Sequence, residues 1–249
     1  MTITYVGPNF SSAIRPSGRD YNSFVLEHEI KYLVPATNAA ALVMWTSSIC
    51  LRDGKYPPAT VHTVYYDTPR LALLGEKIGS DFLKTKVRVR WYADRDGRPG
   101  EALFAEAKFR VGSQRRKVRH RLPISAAEAA GRPLHDPVWI HWLEPLRADS
   151  PSLPGTLAPV LGVRYVRHRF VEAAHASRVT IDEGIGLDRI NASRLHGCIP
   201  GVFPHAVFEY KGRLPDPPAA VLPVVRFGAR RGCSSKYLAG YQHLTRRTL

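Results

Sequence analysis

Basic side chains recur at every second position in several short segments of the sequence. The clearest run is Lys86, Arg88 and Arg90, which alternates with apolar residues. Residues i, i+2 and i+4 of a strand point to one face, so this run would place its cations on a common wall. Arginine binds phosphate through two parallel hydrogen bonds and lysine acts as a point charge, so a wall of both suits a linear chain of phosphates.

The same face recurs on other segments, some of which carry carboxylates. Its further members are Glu27, Glu29, Lys31, Glu106, Lys108, Arg110, Lys117, Arg119, Arg121, Arg167, Arg178, Glu209 and Lys211. Any half-buried antiparallel sheet has a polar face and an apolar one. These polar faces, however, are nearly pure lysine and arginine, and an open sheet with that much like charge would repel itself. We therefore predict that the sheet closes around its charged face and forms a tunnel.

The carboxylates on this face allow two interpretations. Glu29, Glu106 and Glu209 share a predicted face with lysines and arginines, so each could simply form ion pairs. Each could instead bring Mg²⁺ or Mn²⁺ to phosphate oxygens, because such hard ions take one or two carboxylates together with phosphate. Residue types and spacing leave both interpretations open.

Segments with period-two alternation, separated by proline and glycine, predict eight strands. They are Phe24–Val34, Val61–Tyr66, Thr85–Tyr92, Ala102–Val111, Lys117–Leu122, Val163–Val171, Arg178–Asp182 and Ala206–Lys211. Helices are predicted at Ala39–Leu51, at Ser125–Ala130 continuing into Val138–Leu146, and at Lys236–Leu244. Many strands with few helices predict an α+β, mainly β fold: a closed eight-stranded antiparallel tunnel with helices packed outside. Residues 1–22 are predicted to be a poorly ordered arm and residues 23–249 a single domain.

The composition limits the partners and the compartment. Lys and Arg number 36 against 21 Asp and Glu, which gives a net charge of +15 and predicts an anionic partner. No segment approaches the ~20 apolar residues that span a bilayer, and the first residues lack the pattern of a secretory signal. Cys50, Cys198 and Cys233 are too widely spaced for a metal knuckle, so a reducing cytoplasm is expected. HExxH, GxSxG and Walker A motifs are absent from the sequence.

Eight short motifs occur in the order seen in the VTC domain, and the sequence resembles that family from Phe24 to Tyr241. The motifs are Glu29-Ile-Lys-Tyr32, Val64-Tyr-Tyr-Asp-Thr68, Lys86-Val-Arg-Val-Arg-Trp-Tyr92, Glu106-Ala-Lys108, Val163-Arg-Tyr-Val-Arg167, Arg178-Val-Thr-Ile-Asp182, Phe208-Glu-Tyr-Lys211 and Ser235-Lys-Tyr237. The VTC domain is the polyphosphate polymerase member of the triphosphate tunnel metalloenzyme superfamily. That superfamily also includes the CYTH phosphatases and RNA triphosphatases.

The resemblance implies transfer of the γ-phosphate of ATP to inorganic polyphosphate, with Mn²⁺ or Mg²⁺ as cofactor. The residues that it implies for catalysis are Arg88, Arg90, Lys108, Arg167 and Arg178. Those implied for phosphate binding are Lys31, Lys117, Ser235 and Lys236. Lys86 and Lys211 are added as phosphate-binding candidates because they share the predicted charged faces. Glu209 matches the metal-ligand position, with Glu29 and Glu106 as further candidates. A chain of this kind would need a membrane partner protein to export its polymer.

Two rival functions stay open at this stage. Glu27-His-Glu-Ile-Lys31 also matches the E-x-E-x-K pattern of the CYTH branch, which implies hydrolysis of triphosphates by water activated at Glu29 or Glu106. A non-catalytic polyphosphate or RNA binder would use the same cations. Nucleic acid is not expected as a partner, because Trp91, Phe109 and Tyr210 fall on the face opposite the cations and offer no stacking platform there.

Overall fold

The computed structural model describes residues 27–245, except residues 80, 81, 95, 113, 197 and 233. One antiparallel sheet of eleven strands forms most of this part. The strands are β1 (His28–Pro35), β2 (Leu51–Arg52), β3 (Ala59–Asp67), β4 (Leu83–Ala93), β5 (Pro99–Val111), β6 (Gln114–Arg121), β7 (Ala158–Glu172), β8 (Ser177–Ile190), β9 (Gly201–Val202), β10 (His205–Gly212) and β11 (Arg230–Arg231). The helices are α1 (Ala39–Ile49), α2 (Ala72–Gly79), α3 (Ala126–Gly131), α4 (Val138–His141), α5 (Glu144–Asp149) and α6 (Lys236–Thr245). The predicted α+β, mainly β class is confirmed, and the predicted arm at residues 1–22 lies outside the described residues.

The sheet is not closed, so the prediction of a closed eight-stranded tunnel was wrong. Its hydrogen-bonded order is β11-β1-β10-β8-β7-β3-β4-β5-β6, with β2 beside β7 and β9 beside β8. In the described part of the chain, β6 is one edge and the two-residue β11 is the other. The sheet still curves strongly, since side chains of β1, β4, β5 and β6 line one cleft. Alternation assigns a side chain to a face, but it carries no information on whether the end strands pair.

Two apolar clusters cover the outer, convex face. Helix α1 and the 3₁₀ helix Leu222–Phe227 pack on β1, β8 and β10 around Leu42 and Phe208. Helices α3 to α5 pack on β3, β4 and β5 around Trp91 and Trp139. Fully burying a large apolar side chain contributes roughly 1.5–3 kcal/mol, so these clusters hold the sheet to its helices and leave the charged face inward.

Helix α6 lies on the inner face, contrary to the prediction that the helices pack outside. Tyr237 stacks on Tyr65 of β3 with ring centroids 5.2 Å apart. A Cβ atom on Gly240 would lie 2.9 Å from the Leu187 side chain and 3.5 Å from that of Leu161, so only glycine allows α6 to approach the sheet this closely. The inner face is therefore divided into an apolar end beneath α6 and a charged end beyond it.

Helix α2 was missed by the sequence reading, although the residue that starts it lies in a quoted motif. The Asp67 carboxylate accepts hydrogen bonds from the backbone N–H groups of Leu73 and Leu74, both at 2.9 Å. Such side-chain acceptors satisfy the free N–H groups at a helix start. No helix in the described ranges has the length and apolarity needed to cross a bilayer.

Candidate functional site

Five of the cations predicted to share a face, Lys31, Lys86, Lys108, Arg110 and Lys117, line a common cleft of about 510 Å³. The other predicted cations lie outside its lining: Arg88, Arg90, Arg119, Arg121, Arg167, Arg178 and Lys211. The cleft lies between β1 on one side and β4, β5 and β6 on the other, and the start of α6 closes part of its end. The charged residues that line it are Glu29, Lys31, Lys77, Lys84, Lys86, Lys108, Arg110, Arg115, Arg116 and Lys117. Among the described residues, the walls therefore present nine cations and one carboxylate to the cleft.

Lys86 and Lys108 face each other across the β4–β5 pair at the centre of this wall. Among the described residues neither has a carboxylate within ion-pair distance; the Lys86 ammonium lies 3.5 Å from the Ser235 hydroxyl and over the ring of Tyr65. Desolvation and the neighbouring Arg88 lower the pKa of Lys108 to about 8. The same two causes hold the pKa of Lys86 well below its usual value. An anion placed between these two amines would reverse both shifts.

Glu106 is enclosed by cations. Arg88 binds it at 2.6 Å, Lys117 at 2.9 Å and Arg119 at 3.3 Å, and the carboxylate side chain is only 2% exposed. Burial alone would raise the pKa of Glu106, but Arg88 and its other cationic neighbours hold it far below the usual range. This arrangement favours the ion-pair interpretation of Glu106, which fixes the side chains of Arg88 and of Lys117, the second of which lines the cleft.

A second buried group of charges lies deeper along the inner face, where β7 and β8 meet α6. Arg167 binds Asp182 through two hydrogen bonds of 2.6 and 2.7 Å, and Lys236 binds the same carboxylate at 2.6 Å. Burial opposes ionisation of Asp182, yet Arg167 and Lys236 lower its pKa well below the usual value. Two of the predicted site cations are thus fixed by one carboxylate.

Arg90 reaches this deeper group through hydroxyls. Its guanidinium donates to the Thr63 hydroxyl at 3.0 Å and to the Tyr165 hydroxyl at 3.2 Å. Burial favours the neutral phenol, but Arg167 and Arg90 outweigh burial and lower the pKa of Tyr165. Among the described residues, no carboxylate lies within ion-pair distance of Arg90. Burial disfavours its charge, but Tyr165 and the more distant Glu106 raise the pKa of its guanidinium.

Glu29 and Glu209 lie side by side on β1 and β10, bridged by two lysines. Lys31 contacts both carboxylates, the second at 3.3 Å, and Lys211 contacts them at 3.2 and 3.0 Å. Burial acts against ionisation, but Lys31 and Lys211 lower the pKa of Glu29 to about 2, and Lys31 likewise lowers that of Glu209. Both groups are therefore carboxylates at neutral pH.

Arg178 occupies the outer end of the wall. Its side chain is 57% exposed and binds both oxygens of Glu27 at 2.6 and 2.7 Å. It shares the face of Lys211, its partner across β8 and β10, but it stands at the rim rather than beside Lys86. Ser235 fits a different role, since its hydroxyl accepts from the Leu238 N–H at the start of α6 while contacting Lys86.

The ordered motifs and the charged cleft can be compared with known proteins. The model of the VTC domain family matches residues 26–245. The chain belongs to the VTC domain family. The resemblance found from the motifs is therefore confirmed, and this VTC domain includes every charged residue of the cleft.

Solved structures share the fold of this VTC domain at low sequence identity. HpAC1 from Hippeastrum, described as an adenylyl cyclase candidate with a dominant triphosphatase activity, is 15% identical, with a TM-score of 0.53 over 90% of this chain and 98% of that one. A Bacillus halodurans protein assigned as an adenylate cyclase is 12% identical, with a TM-score of 0.51 over 87% of this chain and 97% of that one. No curated protein sequence matches. At this identity, the likeness supports the fold alone.

The donor chemistry of the VTC domain fits a divalent metal at one place. Glu29 lines the cleft, and Glu209 lies beside it, bridged to it by Lys31 and Lys211, so the two offer adjacent ionised carboxylates. Mg²⁺ or Mn²⁺ is commonly bound by one or two carboxylates plus phosphate oxygens. Within the described ranges, no cluster of three or more acidic, histidine or cysteine side chains is available to hold a metal alone. A metal at this place would thus depend on the phosphate ligand for its remaining oxygens.

Sequence analysis missed two residues of the site, Tyr165 and Thr63, and did not assign a role to a third, Asp182. These three residues anchor Arg167, Lys236 and Arg90. Period-two alternation places Asp182 on the face of Arg178 and Tyr165 on that of Arg167, but it does not show which cation either residue binds. Thr63 carries no charge, and only its position opposite Arg90 in the register identifies it.

Proposed function

We propose that this VTC domain is a metal-dependent polyphosphate polymerase that transfers the γ-phosphate of ATP to a growing polyphosphate chain. The observation that carries the proposal is the cationic wall around Lys86 and Lys108, two facing lysines with no carboxylate at ion-pair distance among the described residues. Only an anion with many oxygens can neutralise such a wall, and a phosphate chain supplies one charge per unit along its length.

Some of the cations would bind the polyphosphate chain, and others would stabilise the phosphoryl group that is transferred. Arg88 and Arg90 are fixed by Glu106 and by hydroxyls, so their guanidinium groups are oriented before substrate enters. Phosphoryl transfer depends mainly on such positioning and on neutralising charge on the transferred group. In this proposal Arg88, Arg90 and Lys108 contact the reacting phosphates, and Lys31 and Lys117 hold the neighbouring units. A terminal phosphate oxygen is already ionised, so it attacks without a general base.

In this proposal Glu29 and Glu209 are the metal ligands. These two carboxylates would hold Mg²⁺ or Mn²⁺, and the bound ion would neutralise charge on the phosphate oxygens. Lys31 and Lys211, which now bridge the carboxylates, would turn toward phosphate. Glu106 is left to orient Arg88.

Hydrolysis of a triphosphate is the second candidate. The fold likeness to HpAC1, whose description names a triphosphatase activity, favours it, as does the E-x-E-x-K pattern at Glu27 to Lys31. The low pKa of the carboxylates that would activate water argues against hydrolysis. A general base works best with a pKa near the working pH, whereas cationic neighbours lower the pKa of Glu29 to about 2.

Non-catalytic RNA binding has weaker support. Trp91 and Tyr210, which could stack on bases, are buried beneath helices on the outer face. Phe109, which was predicted on the same outer face, does line the cleft, but its ring is half-buried against the cluster around Trp91 and is covered by Arg116. Sequence-independent binding of single strands normally uses exposed aromatic side chains in a basic groove. The described cleft combines its cations with Glu29, and Glu209 lies beside Glu29 across Lys31 and Lys211. An RNA surface gains nothing from those carboxylates.

The deciding experiment incubates purified full-length protein with ATP and Mn²⁺ and separates long polyphosphate from orthophosphate on a gel. Polymer formation that falls at least about 100-fold in Arg88→Ala, falls in Glu209→Ala and persists in Arg226→Ala supports the polymerase. Arg226 is the matched control because it is an exposed cation on the outer 3₁₀ helix. Orthophosphate without polymer would support hydrolysis. Tight binding of polyphosphate with neither product would overturn the claim that the domain is an enzyme.

A further inference from the structure

Lys86 combines two features, access from the cleft and the lack of a carboxylate partner among the described residues. Lys86 lies in the wall of the open cleft, half-buried and reachable from solvent. Its neighbouring cations Lys31, Arg88 and Lys236 each have a carboxylate partner. Lys86 has no such partner among the described residues. Its contacts are a 3.5 Å approach to the Ser235 hydroxyl and the face of the Tyr65 ring.

The surroundings of this amine disfavour its positive charge. Burial removes water from an ammonium group, and cations on every side repel a further proton. The charged and polar groups that face it from the packed elements are Lys31 on β1, Tyr65 on β3, Arg88 on β4, Lys108 on β5, and Ser235 and Lys236 at the start of α6. Desolvation and Arg88 accordingly hold the pKa of Lys86 well below that of an exposed lysine. Lysines activated in this way serve as nucleophiles in many enzymes.

A phosphate group bound in the cleft would lie directly beside this nucleophile. Lys108 is the cross-strand partner of Lys86, and it too has no carboxylate partner among the described residues. A small molecule whose phosphate rests on Lys108 and Lys31 would therefore hold its adjoining atoms near the Lys86 amine. Proximity of this kind converts a bimolecular reaction into an effectively unimolecular one.

We propose that Lys86 is a modification site for acyl phosphates, whose phosphate docks on Lys108 and whose acyl group is transferred to the Lys86 amine. The amine nitrogen attacks the carbonyl carbon of the mixed anhydride and a C–N bond forms. The bond from that carbon to the phosphate oxygen breaks, inorganic phosphate leaves, and the amine proton passes to the leaving phosphate. The product is a neutral amide, which removes one cation from the middle of the wall and weakens its hold on a phosphate chain.

The inference relies on the cation cluster alone, so it holds whether the domain makes polymer, hydrolyses triphosphate or only binds it. A long phosphate chain in the cleft would prevent the reaction in two ways. It would occupy the docking position on Lys108, and its many charges would favour the protonated, unreactive form of Lys86. Modification would therefore be confined to protein whose cleft is empty.

The test treats full-length protein with acetyl phosphate at pH 7.5, without ATP, and measures acetylation of each lysine over time by peptide mass spectrometry. Lys86 should react at least about tenfold faster than Lys55, because each unit of lowered pKa raises the fraction of free amine about tenfold. Lys55 is a suitable reference because it lies in an exposed loop before Tyr56. Saturating tripolyphosphate should abolish the difference, and Lys108→Ala should reduce it.

Acetic anhydride is the matched reagent because it carries the same acyl group without a phosphate. The preference for Lys86 should be larger with acetyl phosphate than with the anhydride, and equal preferences would show that phosphate docking plays no part. Equal rates at Lys86 and Lys55 with acetyl phosphate would overturn the proposal. Calorimetric binding of tripolyphosphate, measured on the same preparation, keeps that result separate from a failure of the proposed function.

Discussion

The Tyr237 hydroxyl donates a 2.8 Å hydrogen bond to the Asp67 carboxylate, which also accepts from the first N–H groups of α2. This contact joins two distant motifs, Val64–Thr68 and Ser235–Tyr237. Residues 64–68 end β3, and residues 235–237 begin the helix that lies on the inner face. One buried carboxylate therefore fixes both α2 and α6, and with α6 the positions of Ser235 and Lys236 beside the cleft.

Tyr237→Phe should lower the free energy of unfolding by roughly 1.5–3 kcal/mol, the range for hydrogen bonds to charged groups. The ring would still stack on Tyr65, so the loss reports the hydroxyl contact rather than packing. Urea unfolding measures the change. Tyr241→Phe on the same helix is the matched control, because no described hydrogen bond uses the Tyr241 hydroxyl, and an equal loss in both variants would count against the role of Asp67.

The pair of Lys236 and Asp182 makes a second link between α6 and the sheet. Asp182→Ala should destabilise the fold by about 3 kcal/mol or more, because it leaves Arg167 and Lys236 without their buried partner. Asp216→Ala removes the partner of Arg231 from an exposed pair at 3.7 Å and should change little. Similar midpoints in urea for both variants would refute the assignment.

The pH dependence of that stability has a definite sign. The pKa of Asp182 is lower in the folded protein than in the unfolded chain, so its contribution is fully present above the unfolded value of about 3.9. The contribution is lost as the pH falls from there toward the folded pKa. The difference in unfolding free energy between wild type and Asp182→Asn should therefore shrink below pH 4. A difference that stays constant down to pH 2 would contradict the lowered pKa.

Much of this wall could be predicted from sequence because period-two alternation is a local property of each strand. Lys86, Arg88 and Arg90 share a face whatever the remaining strands do. Closure of the sheet and the inward position of α6 could not be predicted, since both depend on how distant edges and helices meet. Helix α6 shows the difference well: its apolar stripe through Tyr237 and Leu244 was predicted, whereas the face of the sheet that receives it was not.

The sequence also could not predict which charged side chains pair with one another. Alternation gave Glu106 and Glu209 equivalent places on one face, yet three cations surround Glu106 whereas Glu209 pairs with Glu29 across two lysines. The difference arises from cross-strand register, which sets Arg88 and Arg119 opposite Glu106 and Lys31 opposite Glu209. Register is fixed by contacts between strands, so single-strand patterns do not contain it.

That difference predicts a split in metal dependence. Glu209→Gln should raise the Mn²⁺ concentration needed for half-maximal activity by about 10–100-fold, a range typical of damaged metal sites. Glu106→Gln keeps the size of the side chain and should lower activity without shifting that concentration, because its role is to orient Arg88. Titration of activity with Mn²⁺ at saturating ATP separates the two effects. If both variants raised the half-maximal Mn²⁺ concentration equally, Glu106 would also be a metal ligand.

Binding of phosphate chains should take up protons near pH 8.5. In the free protein the pKa of Lys108 is lowered to about 8 by desolvation and by Arg88, so much of this amine is neutral at that pH. A bound anion favours the ammonium form and raises the pKa toward the usual lysine value of about 10.4. Affinity for tripolyphosphate should consequently fall as the pH rises from 8 to 10.

Calorimetry in two buffers of different ionisation enthalpy gives the number of protons taken up. Wild type should show an uptake at pH 8.5 that shrinks at pH 6.5, where Lys108 is already protonated, and that also shrinks in Lys108→Arg, which keeps the charge but does not titrate. Lys86 accounts for any uptake left in that variant, since desolvation and Arg88 lower its pKa as well. Binding enthalpies that are the same in both buffers at pH 8.5 would mean that neither lysine changes its protonation, and that the two facing amines are not where the phosphate chain binds.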